Sequence, residues 1–295
     1  GDFREEIIQG SANSAAGTYS SSFGQGNSST DLCSVTFGRN TTAWKHQFSL
    51  GTGNKTDYGS SDPGDKQGSA LIIGNGSSTS KSNAFRVGFN GSVYGSGSYN
   101  SSGADYAELY EWEDGNPLKE ERFGLFVTLN GDKLKLASNS DDYILGVISA
   151  RPAVVGDQQD EWHGRYLRDI FGNPLKETVH IEDEWKITKY QAYNEETKEL
   201  EEIETKELIS PAHDTEIWKE NPDYDPDREY TPREKRPEWS YVGTHGKLIV
   251  IDDGTCSVNG YCWPTKDGIG SNDKIYKVYR VIERLDDKHI KIVIK

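Results

Sequence analysis

The stretch FGQGN at residues 23–27 is the first of four related segments. The others are FGRN at residues 37–40, LGTGN at residues 50–54 and IGNG at residues 73–76. Successive segments begin 14, 13 and 23 residues apart, and each places a large apolar residue before Gly. This period predicts a β-solenoid with one short strand per coil and the apolar residue inward. Gly-Asn would occupy a corner that needs positive φ.

One such coil cannot bury its apolar face alone, so we expect the coils to stack and three chains to associate laterally. The spacing resembles the left-handed β-roll heads of trimeric adhesins and the repeats of phage tail fibres. A flexible Gly/Ser linker is the alternative, and the regular apolar positions count against it. The Asn90-Gly91 pair predicts a last hairpin within residues 84–100.

The composition changes at NSSGADYAELYEW, residues 100–112. Residues 1–101 are rich in Gly, Ser and Asn and hold seven Lys/Arg and seven Asp/Glu, so the whole net charge of −15 lies in residues 102–295. We therefore predict a mainly β chain: a trimeric β-solenoid stem at residues 1–101, followed by a β-rich globular domain at residues 102–295. Strands are expected in this second part at residues 124–129, 133–136, 143–150, 246–252, 276–283 and 289–295.

The charge distribution argues against nucleic-acid binding, because a phosphate backbone needs a basic surface. No run of 18 apolar residues is present, so no membrane insertion is expected, and no signal peptide is visible. The absence of Met predicts a fragment or a processed product.

Three cysteines, Cys33, Cys256 and Cys262, are too few for a disulfide framework. The last two flank an Asn259-Gly260 turn and could face each other, but reduced thiols on short strands are the favoured interpretation. No metal site is expected, because further ligands at close spacing are absent. Among the scattered histidines, only His163 is a candidate to approach an active site.

Asp105 and Glu108 are the candidate catalytic pair. Peptide hydrolysis without a metal needs one carboxylate to take a proton from the attacking water and a second acid to protonate the leaving nitrogen. Burial and mutual repulsion separate the pKa values of two such groups. The aromatic neighbours Tyr106, Tyr110 and Trp112 would supply an apolar wall.

The spacing of the pair leaves two arrangements open. Residues three apart lie on opposite faces of a strand but share one face of a helical turn. Either the segment turns, or Asp105 of one chain meets Glu108 of another in a trimer, which would make cutting conditional on assembly. The alternative is that Asp105 caps a turn and Glu108 is a surface carboxylate.

Blocks between residue 102 and residue 295 resemble, in order, the self-cleaving intramolecular-chaperone domain, peptidase family G2, at the C-terminus of Bacillus-phage appendage (tail-spike) proteins. The blocks are ADYAE at 104–108, EWEDGN at 111–116, GLFV at 124–127, DYILGV at 142–147, PDYDP at 222–226, residues 233–239, DDGTC at 252–256 and GYC at 260–262.

The resemblance implies an autocatalytic endopeptidase of glutamic/aspartic type that acts on its own chain. Such a domain trimerises, guides folding of the upstream spike stem and then cuts the chain. On this sequence the family's pair falls on Asp105 and Glu108, and the scissile bond falls between Ser101 and Ser102. The implied location is the virion tail or appendage, assembled in the host cytoplasm.

The resemblance also implies ATP as a ligand of the released domain, although no Walker-type loop is present and no cofactor is required on sequence grounds. Because a hydroxyl flanks both sides of the bond, an N→O acyl shift through Ser102 is an alternative to water attack. The carboxylate mechanism ranks first.

A second function class is a non-enzymatic trimeric module that binds a glycan on the host cell surface. Aromatic side chains that could stack on sugars are Trp185, Trp218, Tyr224, Tyr230 and Trp239.

Overall fold

The computed structural model describes residues 7–56, 68–158, 164–193, 198 and 200–295. The chain there is almost entirely β, with two short 3-10 turns at Arg233–Lys235 and Lys266–Gly268. The predicted mainly β class, with stacked solenoid-like coils, is therefore confirmed. Across these ranges, no helix has the length and apolar character needed to cross a membrane.

Internal contacts divide the chain into two units. One contains Gly1–Tyr99 and Leu167–Lys219, and the other contains Asn100–Tyr166 and Glu220–Lys295. The division at residue 100 lies beside the predicted boundary. Because residues 102–295 contribute to both units, their assignment to one domain stays a prediction.

The first hundred residues form stacked coils. Their strands are β1 (Ile7–Ser11), β2 (Ser14–Ala15), β3 (Ser21–Gln25), β4 (Ser28–Ser29), β5 (Val35–Arg39), β6 (Thr42–Ala43), β7 (Phe48–Thr52), β8 (Ser69–Asn75), β9 (Asn83–Gly88) and β10 (Val93–Gly95). Strands β1, β3, β5, β7 and β8 pair in parallel, and β2, β4 and β6 form a second parallel row. The repeated apolar residues stand in register, which confirms the coil period. The antiparallel pairing of β9 and β10 confirms the predicted last hairpin.

The interior of the coils is polar, so the prediction that the repeated apolar residue points inward is wrong. Ser22, Thr36 and Ser49 are fully buried, whereas Phe37 is 57% exposed. The hydroxyls of Ser22 and Ser29 each lie 2.9 Å from Thr36 Oγ1. The inward positions on neighbouring strands are Ser22, Thr36, Ser49 and Ile72, so this column is polar on three strands and apolar on the fourth. The hydroxyls of Ser22, Ser29 and Thr36 satisfy one another there.

The apolar residues instead form a continuous row on the outside of the sheet. This outer ladder consists of Phe23, Phe37, Leu50 and Ile73, which are neighbours on β3, β5, β7 and β8. The ring centroids of Phe23 and Phe37 are 5.8 Å apart. The outer ladder is the largest regular apolar feature of the coils, and it faces away from their interior.

Glycine and asparagine have separate roles at the corner. Gly26 and Gly53, which come just after β3 and β7, have φ values of 64° and 47°, which confirms the predicted need for positive φ at the corner. A β-carbon on Gly24 would lie 2.0 Å from the Gly38 carbonyl oxygen, so the coils stack only without a side chain there. Asn27 acts through its side chain: its Nδ2 donates to the Gly38 carbonyl at 2.8 Å, and its Oδ1 accepts from Thr41 N at 2.9 Å.

The remaining strands follow the composition change. They are β11 (Asp105–Glu111), β12 (Phe126–Asn130), β13 (Lys133–Leu136), β14 (Gly146–Ile148), β15 (Val154–Gly156), β16 (Lys176–Ile181), β17 (Glu184–Tyr193), β18 (Leu200–Ser210), β19 (His213–Trp218), β20 (Trp239–Ile251), β21 (Tyr261–Pro264), β22 (Gly270–Asn272), β23 (Tyr279–Arg284) and β24 (His289–Ile294).

A large sheet carries the second unit. Its order is β13-β12-β14-β20-β24-β23-β21-β22, with β11 paired to β20 and β15 paired to β11. One group of buried apolar side chains includes Phe126 and Ile292, and a second includes Trp112 and Val242. The long strand β20 is therefore the element that holds β11 against the sheet.

The segment at residues 167–219 forms two separate ribbons, in which β16 pairs with β19 and β17 pairs with β18. The Glu- and Lys-rich sequence of residues 180–209 predicts a long exposed hairpin with its tip at residues 194–198, and the antiparallel pair β17–β18 agrees with it. Residues 194–197 of that tip lie outside the described residues. Cys256 and Cys262 are buried and free, in line with reduced thiols.

Candidate active site at strand β11

The candidate pair lies on a regular strand. β11 pairs antiparallel with β20 and parallel with β15, and its register with β20 shifts between Tyr106 and Ala107. Burial alternates along it: Asp105 and Ala107 are buried, and Tyr106 and Glu108 are only partly buried. Asp105 and Glu108 therefore point to opposite faces of one strand. The predicted arrangement in which this segment turns, so that the pair meets within one chain, is wrong.

Asp105 is buried in an environment that does not satisfy a carboxylate. Its side chain is 6% exposed, and Oδ2 has no hydrogen-bond partner among the described residues. Gly243 passes so close that a β-carbon there would lie 3.0 Å from Oδ2. Desolvation raises the pKa of Asp105 above its ordinary value of 3.8, although the Ser149 side chain acts in the opposite direction. Burial thus favours the protonated acid at this position.

Glu108 is held by two phenols on the other face. Tyr106 Oη donates to Oε1 at 2.7 Å, and Tyr110 Oη donates to Oε2 at 3.1 Å. Burial, followed by the hydrogen bond to Glu108, raises the pKa of Tyr110 to about 12. Both phenols therefore remain donors at neutral pH, and Glu108 is fixed as an acceptor. Of the three predicted aromatic neighbours, Tyr106 and Tyr110 meet Glu108 through their hydroxyl groups, whereas Trp112 is buried in the core.

Glu108 opens onto a cleft of about 320 Å³. Asp157 and Arg233 line the cleft and form an ion pair of 2.8 Å across it. The Arg233 guanidinium also lies 4.3 Å from the ring centroid of Trp239. The cleft is thus bordered by charged side chains that are paired with each other.

The predicted scissile residues lie just before the strand and are exposed. Ser101 Oγ accepts from Gly103 N at 3.1 Å, which bends the chain immediately after the bond. Arg151 Nη2 donates to Ser102 Oγ at 3.2 Å. The structure therefore places Ser101 and Ser102 in the same stretch as Asp105, whereas Glu108 faces away from them.

Several residues at this site escape sequence reasoning. Ser149, Arg151 and Asp157 reach the site from distant parts of the chain, and no local pattern marks them. Arg233 also comes from far along the chain, but it lies within the block at residues 233–239 that carries the resemblance. His163 lies outside the described residues. In the described part of the chain, no group of three or more His, Cys, Asp or Glu could hold a metal ion. ATP binding stays a prediction.

The burial of Asp105 gives a testable pH dependence. Because its pKa is raised in the folded protein, ionisation above that pKa costs folding free energy. Asp105→Asn should therefore raise the free energy of unfolding at pH 7 by about 1 kcal/mol. The gain should vanish as the pH falls below 3.8, where the carboxyl is protonated in both states. Urea unfolding at several pH values checks this.

The reference chain and the Asp105→Asn chain both carry Glu108→Gln, so that neither is cut. Both are measured at equal protein concentration. Asp142→Asn, at an exposed position, is the matched control and should leave the free energy of unfolding unchanged. A loss of stability in the Asp105 variant at pH 7 would contradict the assignment of Asp105 as an unsatisfied buried acid.

A family model described as "Peptidase_G2, IMC autoproteolytic cleavage domain" matches residues 58–294. The chain belongs to this family. The Peptidase_G2 match confirms the resemblance of the sequence blocks and includes the whole of β11 and β20. It identifies the chain as a self-cleaving peptidase.

Relatives of this Peptidase_G2 chain come from phages and a bacterial genome. The pre-neck appendage protein of Bacillus phage B103 is 30% identical over 169 residues, which is 57% of this chain and 16% of that protein. The putative phage-related protein YobO of Bacillus subtilis (strain 168) is 34% identical over 187 residues, 61% of this chain and 19% of that protein. The chain thus spans less than a fifth of the length of these curated relatives.

A solved structure, the pre-mature bacteriophage phi29 gene product 12, superposes on this chain with a TM-score of 0.57. The match is 14% identical and covers 98% of this chain and 40% of that one. At this identity the likeness shows a shared fold.

Proposed function

We propose that this domain trimerises, guides folding of the stem before it, and then cuts between Ser101 and Ser102 with Asp105 of one copy and Glu108 of another. The observation that carries the proposal is the alternation on β11, which sends the two carboxylates to opposite faces. A pair that cannot meet within one strand can meet between neighbouring copies. Cutting would then wait for assembly.

The two environments suit the two roles in hydrolysis. Glu108, held as an acceptor by two phenols, takes a proton from water as the water oxygen attacks the Ser101 carbonyl carbon. Asp105, whose burial favours the protonated acid, donates a proton to the Ser102 nitrogen as the C–N bond breaks. The products are a carboxyl group on Ser101 and an amine on Ser102. One water is consumed, and no cofactor is required.

The outer ladder supports association of three stems. Phe37 is 57% exposed and Phe48, on the same outward face, is 41% exposed. Burial of such a side chain contributes about 1.5–3 kcal/mol, and the inward positions on β3, β5 and β7, which hold Ser or Thr, offer no comparable gain. Three copies that bring these faces together would cover them around a common axis.

A cut after assembly fits the folding problem of such a stem. Strand pairing between distant coils and chains is slow and leaves edges exposed while it proceeds. A trimeric domain at the end raises the effective concentration of the three stems. Once the bond is cut, the stem loses the route back through the domain and is kinetically trapped. The proposed setting is the virion appendage.

Intact-mass measurement and light scattering on freshly purified wild-type protein test this function. We expect three copies per particle and two fragments whose masses place the cut between Ser101 and Ser102. A trimer that stays in one piece would instead favour the non-enzymatic module for glycans on the host cell surface. A chain that is cut as a monomer would overturn the between-copy pair.

A further inference from the structure

We propose that residues 149–153, the clamp segment, position the scissile bond, and that Arg151 is the positioning residue for the cut through its contact with Ser102. This inference rests on the proposed function. It adds a part of the machinery that lies outside the carboxylate pair, in the connection between β14 and β15.

The first contact is on the scissile residue itself. Arg151 Nη2 donates to Ser102 Oγ at 3.2 Å. The segment leading into β11 is otherwise exposed at Ser101 and Ser102, so a charged donor on the second serine restricts where the bond can lie. Hydrogen bonds to charged groups are stronger than neutral ones, which suits a contact that must hold an exposed chain.

The second contact is made by the backbone. Ala153 N donates to the Asp105 carbonyl at 2.8 Å, and Lys247 N donates to the Ala104 carbonyl at 3.1 Å. Gly103 lies flush against Ala153, because a β-carbon on Gly103 would come within 2.7 Å of Ala153 N and Cα. The chain just after the scissile bond is therefore pressed onto the clamp segment, and glycine permits the approach.

The third contact is on the candidate acid. The Ser149 side chain lowers the pKa of Asp105 through a hydrogen bond. The backbone N of Ser149 donates to the Tyr241 carbonyl at 2.9 Å, which ties the clamp segment to β20. The clamp segment thus contacts Asp105 through Ser149, Ser102 through Arg151 and Gly103 through Ala153. Since it leaves the sheet at β14, the clamp segment fixes the scissile stretch relative to the rigid part of the unit.

The clamp explains how an exposed stretch can be cut at one bond. Water attack requires the carbonyl carbon and the carboxylates to hold a fixed geometry, and loss of that geometry slows such reactions steeply. Arg151 does not touch the reacting atoms. Arg151 affects the cutting rate only through the Ser102 hydroxyl, so variants of the two residues should not have additive effects.

The test follows the fraction cut over time in cell-free synthesis of the full chain. Arg151→Ala and Ser102→Ala should each slow cutting by about 10- to 100-fold. The double variant should be no slower than the slower single variant, because both remove the same contact. Arg151→Lys should recover part of the rate. Arg151→Ala that cuts as fast as wild type, or effects that multiply in the double variant, would overturn the inference.

If Ser102→Ala stops cutting altogether, the cycle is repeated on Ser102→Thr, which keeps the hydroxyl. Arg151→Ala must then slow cutting of the Ser102→Thr chain as much as it slows cutting of wild type. An unchanged cutting rate would contradict the role of the clamp segment. Thermal melting and light scattering of each variant must match wild type, which excludes simple misfolding.

Gly103→Ala tests the backbone contact independently and should also slow cutting. Gly97→Ala, in the same stretch, is its control, because a β-carbon on Gly97 would meet nothing within 4 Å. A wild-type chain with no cut between Ser101 and Ser102 would overturn the proposed function and the clamp together. A wild-type cut with unaffected clamp variants overturns the clamp alone.

Discussion

Glu108→Gln is expected to leave the chain in one piece where wild type gives two fragments. The change removes the group that takes a proton from the attacking water, and such groups contribute about 10²- to 10⁴-fold to a rate. The fold should persist, because Gln retains an acceptor oxygen for one phenol and the other phenol can accept from the amide. A denaturing gel after overnight incubation, with intact mass, measures the effect.

The matched control is Glu113→Gln. This carboxylate is exposed, lies two residues after β11 and accepts a surface hydrogen bond from Asn130 Nδ2 at 2.6 Å. The Glu113→Gln chain loses the same charge as the Glu108→Gln chain and should be cut at the wild-type rate. If Glu108→Gln chains still divide between Ser101 and Ser102, Glu108 has no part in the reaction.

The second expected result is complementation between two inactive chains. Neither Asp105→Asn nor Glu108→Gln should be cut when produced alone. When the two are co-produced, a mixed trimer can place the intact Asp105 of one copy beside the intact Glu108 of its neighbour. Cutting should then reappear in a fraction of the trimers, a change from no product to a clear band. A mass tag on one chain shows which of the two is cut.

Two comparisons make this result decisive. Mixing the variants only after each has formed its own trimers should give no product unless subunits exchange, because the site is formed during assembly. A chain carrying both changes, co-produced with either single variant, should also stay intact. Failure of co-produced single variants to cut, when light scattering shows mixed trimers, would place the pair within one chain and contradict the geometry proposed from β11.

The stem shows where a sequence pattern predicts a fold correctly and where it does not. Spacing between Phe23, Phe37 and Leu50 fixes the coil period, and the following glycines predict the corners. The period does not predict whether the apolar side chains point into the coil or out of it, because periodicity does not say which side of a strand is inside. The structure puts Phe37 on the outside, whereas the close backbone approach at Gly24 concerns the stacking of one coil on the next.

The candidate site divides in the same way. A family resemblance and local chemistry point to Asp105 and Glu108. The alternation of side chains along a strand already offers the arrangement that we propose, in which the two carboxylates meet between copies. Arg151 and Arg233 approach from segments far along the chain. Such contacts arise from sheet topology, which pairs β11 with both β15 and β20, and no local pattern in the sequence encodes that pairing.

The stacking of the coils has a consequence for how such stems vary in size. The backbone contact between coils recurs, because Gly24, Gly38 and Gly51 each face the carbonyl of the next glycine in the row, so a duplication or deletion of one repeat would preserve this stacking contact. Stem height can thus change in whole-number increments of about 4.8 Å, the distance between neighbouring strands. A genome could tune the reach of the stem by unequal recombination without redesigning any coil.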